Sequence, residues 1–239
     1  MEQTEFIHIE QPADAWKTMD IVEILQKGGV GVLPTDTGYG FVTPLALDNG
    51  QTNNKAGLER ILRIKGLVDC KKPMSLLVPS IQAVNEYCFG IDKVAFKILK
   101  KNLPGAYTFI LPAKTTLPKQ LFLDAKGNKH SWKRETLGIR IPNDPTLRYL
   151  QDELLDGMPL LVTSLPHPDD EADEEDDYYI RTGGQMVACR FESTSSWCNE
   201  VDFVVDAGPR PYEGSTIFDL TTSDPQLVRE GMGPVDLII

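Results

Sequence analysis

Apolar residues along the chain fall into short runs that alternate with helix-spaced patterns. Trp16, Ile21, Ile24 and Leu25 recur at helical spacing, and Gly28-Gly29 predicts the end of that helix. Val30 to Leu33 reads as a buried strand stopping at Pro34, and Leu58, Ile61, Leu62 and Lys65 suit a second helix. Met74 to Val78 has the length and composition of a strand, followed by helical patterns over Ile81 to Tyr87 and through Val94, Ala95, Ile98 and Leu99. Tyr107 to Leu111 and Leu137 to Ile141 predict strands bounded by Pro-Gly and Pro. Asp144-Pro145 is an N-cap and first-turn pair for a helix over Leu147, Leu150 and Leu154. Leu160 to Val162, Val201 to Val205, Thr216 to Leu220 and Leu227 to Arg229 predict the remaining strands. The alternation implies an α/β fold, with helices on both faces of the sheet.

Composition narrows the class. With 239 residues, 41% hydrophobic and 25% charged, the chain fits one globular domain over 1–239, its core starting at about residue 15. The net charge of −11 argues against wholesale nucleic-acid binding, but it is unevenly placed. Residues 1–150 hold 20 basic and 15 acidic groups, and residues 151–239 hold 4 and 20. Eight carboxylates lie in Asp169 to Asp177 alone, inside a polar stretch at about 166–200 that reads as a long surface loop or insertion. That acidic run is either solvated loop, or a lid, or a charged patch that excludes RNA or competes with phosphate. Four cysteines without a CxxC pair indicate reduced thiols. The acidic start and the lack of a long apolar segment predict no membrane span and a cytoplasmic protein, organellar only if a presequence has been removed.

The sequence has no GxxxxGK[ST], no GxGxxG, no GxSxG elbow and no metal-ligand spacing, so no metal site is expected. The candidates are loops at strand ends. Thr35, Asp36, Thr37 and Tyr39 follow an apolar strand, either as a capped turn with a core tyrosine or as ligand-binding hydroxyls and amides. Lys65, Lys71, Lys72 and Ser75 cluster ahead of another strand. Thr108 opens a strand after Pro104-Gly105, and Ser164, Ser215-Thr216 and Arg229 stand at strand ends. Arg140 alternates with Ile139 and Ile141, so its stem is buried with the head in water, or its head is held for an anion. Lys93, Lys97, Lys100 and Lys101, with Lys126, Lys129, Lys133 and Arg134, form either a solvated basic face or an RNA surface.

Taken in order, these segments resemble the YrdC/YciO family. The matching runs are Pro34-Thr35-Asp36-Thr37-x-Tyr39-Gly40, Lys65, Lys72-Pro73-x-Ser75, Pro104-Gly105-x-Tyr107-Thr108, Gly138 to Pro142, Ser215-Thr216-Ile217-x-Asp219-Leu220 and Arg229-Glu230-Gly231. The resemblance implies a twisted mixed sheet of the YrdC/RibB type around a concave basic cavity. It also implies a nucleotidyltransferase: an L-threonylcarbamoyladenylate synthase, which joins threonine, bicarbonate and ATP (with Mg²⁺) for tRNA modification. By the same resemblance Lys65, Arg140 and Arg229 would face phosphates. Thr35 and Tyr39 would hold threonine, and Lys72, Ser75, Thr108, Ser164 and Ser215 would line the substrate. Two positions depart from the synthase pattern: Leu67 stands where K-x-R has arginine, and Pro166 where S-x-N has asparagine. Losing one such phosphate donor costs about 2–4 kcal/mol of transition-state stabilisation. Arg63 or Lys71 is available as a substitute. These departures place the chain nearer the YciO branch, for which nucleotide binding with another acceptor, or double-stranded RNA binding, is the alternative expectation.

Overall fold

The computed structural model describes residues 4–45, 55–67, 73–122, 136–165, 197, 200–211 and 213–238. Among them, ten strands form one mixed sheet: β1 (Glu5–His8), β2 (Gly31–Thr35), β3 (Gly38–Pro44), β4 (Ser75–Leu77), β5 (Tyr107–Pro112), β6 (Thr136–Arg140), β7 (Leu160–Ser164), β8 (Phe203–Asp206), β9 (Thr216–Asp219) and β10 (Gln226–Arg229). They stand in the order β1-β8-β2-β3-β7-β4-β6-β5-β9-β10. Helices α1 (Val22–Gln26), α2 (Lys55–Leu67), α3 (Ile81–Tyr87), α4 (Lys93–Asn102) and α5 (Pro145–Tyr149) pack on the sheet. Side-chain caps start three of them: Ser80, Asp92 and Asp144 accept the backbone N–H groups of Ala83, Ala95 and Leu147.

Two cores follow from the two faces. On one, Leu58, Ile61 and Ile64 of α2, Val84 of α3 and Ile98 and Leu99 of α4 bury Phe41, Leu76, Phe109 and Ile139. On the other, Ile21, Leu25, Leu147 and Leu150 bury Leu33, Val42, Leu77, Val162 and Phe203. The α/β expectation therefore holds, with one asymmetry. The second core takes no residue from β5, β6, β9 or β10, so that part of the face is left for polar groups.

The structure departs from the sequence pattern at three places. Pro12–Ile21 is a 3-10 helix ahead of α1; its three-residue repeat buries Ala15, Thr18 and Ile21 and leaves Trp16 55% exposed, where the α-helical period had placed it inward. The segment read as a loop after Pro34 is a tight hairpin: β2 runs on through Pro34 to Thr35, turns at Asp36-Thr37 and returns as β3. Pro34 is tolerated there because β8 pairs only with Gly31 and Val32, so no ladder partner faces its missing N–H on that side. Strand β1, which the pattern omitted, is held in the sheet by parallel pairing with β8, a partner some 200 positions away. The acidic run and nearly all of 166–200 lie outside the described residues. No helix among the described residues is long and apolar enough to cross a membrane.

Candidate functional site

Strand register assembles the site. Side chains alternate along a strand, so Gly138 and Arg140 of β6 share the face opposite Leu137 and Ile139. Ser75 pairs directly with Gly138, which is also opposite Ile110 of β5. Two residues from Ile110, Thr108 pairs with Ile217 of β9, and Ile217 pairs with Arg229 of β10. One face thus carries Ser75, Gly138, Arg140, Thr108 and Arg229, in a part of the sheet from which the helical core on that side takes no residue.

Arg140 is 7% exposed. Its Nη2 donates to Thr37 Oγ1 at 2.6 Å and to Asp36 Oδ1 at 3.3 Å, so the hairpin turn grips the end of the fork. The other Asp36 oxygen accepts the Asn143 N–H at 2.8 Å. Arg229 is half-buried; its Nη2 donates to the Ser215 carbonyl and approaches Ser215 Oγ at 3.5 Å. Ser215 Oγ and Thr108 Oγ1 share a hydrogen bond of 2.7 Å. Two glycines make room for these groups. A Cβ at Gly138 would stand 2.8 Å from Ser75 Oγ and 2.9 Å from Thr108 Cγ2. One at Gly214 would stand 2.8 Å from Arg229 Nη2, and Gly214 also has a φ of +76°, which favours glycine.

The electrostatics are unbalanced. Burial pulls the pKa of both guanidinium groups down; for Arg140 the Asp36 carboxylate opposes this, and the neighbouring charge of Arg229 adds to it. Asp36 is the single carboxylate paired with either arginine among the described residues. The Nε atoms of Arg140 and Arg229 are also the only buried side-chain nitrogens or oxygens there without a hydrogen-bond partner. One buried and one half-buried cation, one anion and two idle buried donors describe a place for a further anion.

Of the residues expected from sequence, Arg140, Arg229, Thr108, Ser215 and Ser75 come together here. Thr35 joins through Thr37, but its hydroxyl already donates to the Gly38 carbonyl at 2.7 Å. Ser164 is exposed at the end of β7, paired with Gly40. Tyr39 packs in the α2–α4 core, and its hydroxyl donates to the Gly208 carbonyl at 2.6 Å and accepts the Ala207 N–H at 2.9 Å. Burial pushes its pKa well up. Lys65 and Leu67 are in the last turns of α2, on the opposite face from Arg140, with their side chains outside the described residues; Lys72 and Pro166 lie outside them altogether. Arg63 is engaged elsewhere: its Nε and Nη2 both bind Glu200 Oε2. The α4 lysines are exposed beside a groove of about 400 Å³ lined by Ile91, Lys93, Phe96 and Lys97, on the far face of the sheet, while Lys126, Lys129, Lys133 and Arg134 lie outside the described residues.

Sequence reasoning placed Asp36 and Thr37 in a candidate loop and Asp144 at an N-cap without giving any of them a charged partner, and it did not single out Arg210. Asp144 is buried, caps α5 and accepts from Arg210 Nη2 at 3.4 Å, while Arg210 Nη1 holds the Ala207 carbonyl at 2.7 Å. No three His, Cys, Asp or Glu side chains gather as a metal site among the described residues.

Comparison with known proteins shows which family has this fold. Residues 23–231 match the Sua5/YciO/YrdC family model, described as "Telomere recombination". The chain belongs to that family. Within the Sua5/YciO/YrdC family it is 34% identical to YciO of Escherichia coli over 235 residues, 98% of each chain. The crystal structure of that protein superposes with a TM-score of 0.67 at 32% identity, again over 98% of both. The threonylcarbamoyl-AMP synthase of Pyrococcus abyssi is 22% identical over 98% of this chain and 60% of its own. The structure of P. abyssi Sua5 complexed with L-threonine shares the fold, with a TM-score of 0.67 at 21% identity, over 95% of this chain and 58% of the other.

Proposed function

We propose that this chain makes an adenylate, binding ATP with its phosphates along Arg140 and Arg229 and joining the α-phosphate to the carbamate of threonine. The observation that carries the proposal is the pair of guanidinium groups whose buried Nε donors are idle, beside the hydrogen-bonded hydroxyls of Thr108 and Ser215. A relative at 22% identity bearing the name threonylcarbamoyl-AMP synthase supports the choice of reaction. In that reaction the threonine amine attacks bicarbonate, water leaves, and a carbamate results. A carbamate oxygen then attacks the α-phosphorus of ATP, and the bond to the β-phosphate oxygen breaks to release pyrophosphate. No protein nucleophile is consumed; the catalyst must orient the partners and supply cations where charge accumulates. Mg²⁺ enters as part of the MgATP substrate.

The test is pyrophosphate release from the purified chain given threonine, bicarbonate and MgATP. Release that needs all three is expected, and Arg140→Ala or Arg229→Ala should lower it about 10²–10³-fold. No release above background overturns the proposal. Release that ignores threonine selects a second reading, adenylation of a different acceptor, which the greater identity to YciO and Leu67 at the K-x-R position favour.

A further inference from the structure

We propose that Asp36 is an internal competitor for phosphate, a carboxylate built against Arg140 that holds down the affinity of the site for polyphosphate and couples anion binding to proton uptake. The inference rests on the nucleotide reading of the site.

Asp36 occupies the two-residue turn between β2 and β3, with its side chain 13% exposed. One oxygen lies 3.3 Å from Arg140 Nη2, and the other accepts the Asn143 N–H at 2.8 Å. It therefore lies on the cation to which a phosphate would bind, and two anions near one guanidinium repel each other. Thr37 Oγ1 already anchors the same Nη2 at 2.6 Å, so holding the fork does not require a charge. What the charge adds is opposition to a second anion. Without it, Arg140 and Arg229 would face pyrophosphate unopposed, and slow product release limits many enzymes.

The energetics point the same way. Burial pushes the pKa of the Asp36 carboxyl up from its ordinary value; the Asn143 N–H and the Arg140 guanidinium only partly offset this, and Asp144 at the start of α5 adds to it. Arg229 from β10 acts on Arg140, and Arg210 pairs with Asp144. A carboxyl whose pKa is raised by folding favours the fold below the pKa it has when unfolded, and that contribution is lost as pH rises through the folded value. At pH 8 ionised Asp36 weakens the fold, which is the sign expected of a group kept for function. A bound polyphosphate would raise its proton affinity further, so anion binding should draw in a proton.

The experiment compares the natural chain with Asp36→Asn, using sodium pyrophosphate as probe. Titration calorimetry at pH 8 should give about tenfold tighter binding to the variant, and unliganded Asp36→Asn should melt at a higher temperature. Across the acidic range, titrations in two buffers of different ionisation heat should show more proton uptake by the natural chain than by the variant; the difference cancels protons taken up by pyrophosphate itself. Equal or weaker binding by the variant, or equal proton uptake, overturns the proposal, and a lower melting point marks Asp36 as an ordinary structural ion pair. If the natural chain binds no pyrophosphate, the nucleotide reading falls with it. Binding that Asp36→Asn leaves unchanged removes the competitor role alone.

Discussion

Tyr39 has a structural engagement that its motif does not announce. The motif marks it as a substrate contact, yet its hydroxyl bonds the Ala207 N–H and the Gly208 carbonyl and so clamps the chain leaving β8. Tyr39→Phe leaves both backbone groups without that partner, and the loss should be about 2 kcal/mol, seen as a lower urea midpoint with unchanged slope. A hydroxyl reserved for ligand would leave the midpoint in place. Arg140 was more readable, because an arginine between two isoleucines has few explanations. Its anchors were not: Asp36 and Thr37 lie 104 and 103 positions away, and no local pattern links positions that far apart. Residue types thus announced the cations, while the acceptor that restrains one of them emerged only from the folded chain.

Elements explain why Arg229 reaches the site. Strand β10 is an edge strand whose Leu227 and Val228 are exposed, so side-chain burial does little to hold it. It is secured through Thr216, fully buried on β9, whose Oγ1 donates to the Gly233 carbonyl and accepts the Gly231 N–H at 3.0 Å. Thr216→Val keeps the shape and removes both bonds. It should cost about 2 kcal/mol and also weaken pyrophosphate binding, although Thr216 faces away from Arg229; unchanged affinity would show that β10 holds its place without this latch. Most elements were visible in the hydrophobic pattern because both faces of the sheet are packed. Strand β3 was hidden by its glycines, and β1 by its shortness. The first helix was misread for a different reason: a period of three, not 3.6, governs Ala15, Thr18 and Ile21.

At the scale of the whole molecule, the chain carries a net charge of −11, and the proposed anion site in it rests on Arg140 and Arg229. Two effects of added salt can therefore be separated. Screening acts on all surface charges within a Debye length of about 8 Å at physiological ionic strength, so sodium chloride should raise the melting temperature by relieving self-repulsion. Specific binding acts only at the arginines. Pyrophosphate at about 100 times its Kd should add about 2.7 kcal/mol, or about 5–10 °C for a chain of this length, beyond sodium chloride of equal ionic strength. The double variant Arg140→Ala, Arg229→Ala should lose the second increment and keep the first, because surface self-repulsion does not depend on one buried and one half-buried side chain. If pyrophosphate raises the melting temperature of the natural chain no more than chloride does, the idle Nε donors do not mark an anion site. If the increment survives in the double variant, the anion binds elsewhere, and the exposed lysines of α4 become the next place to look.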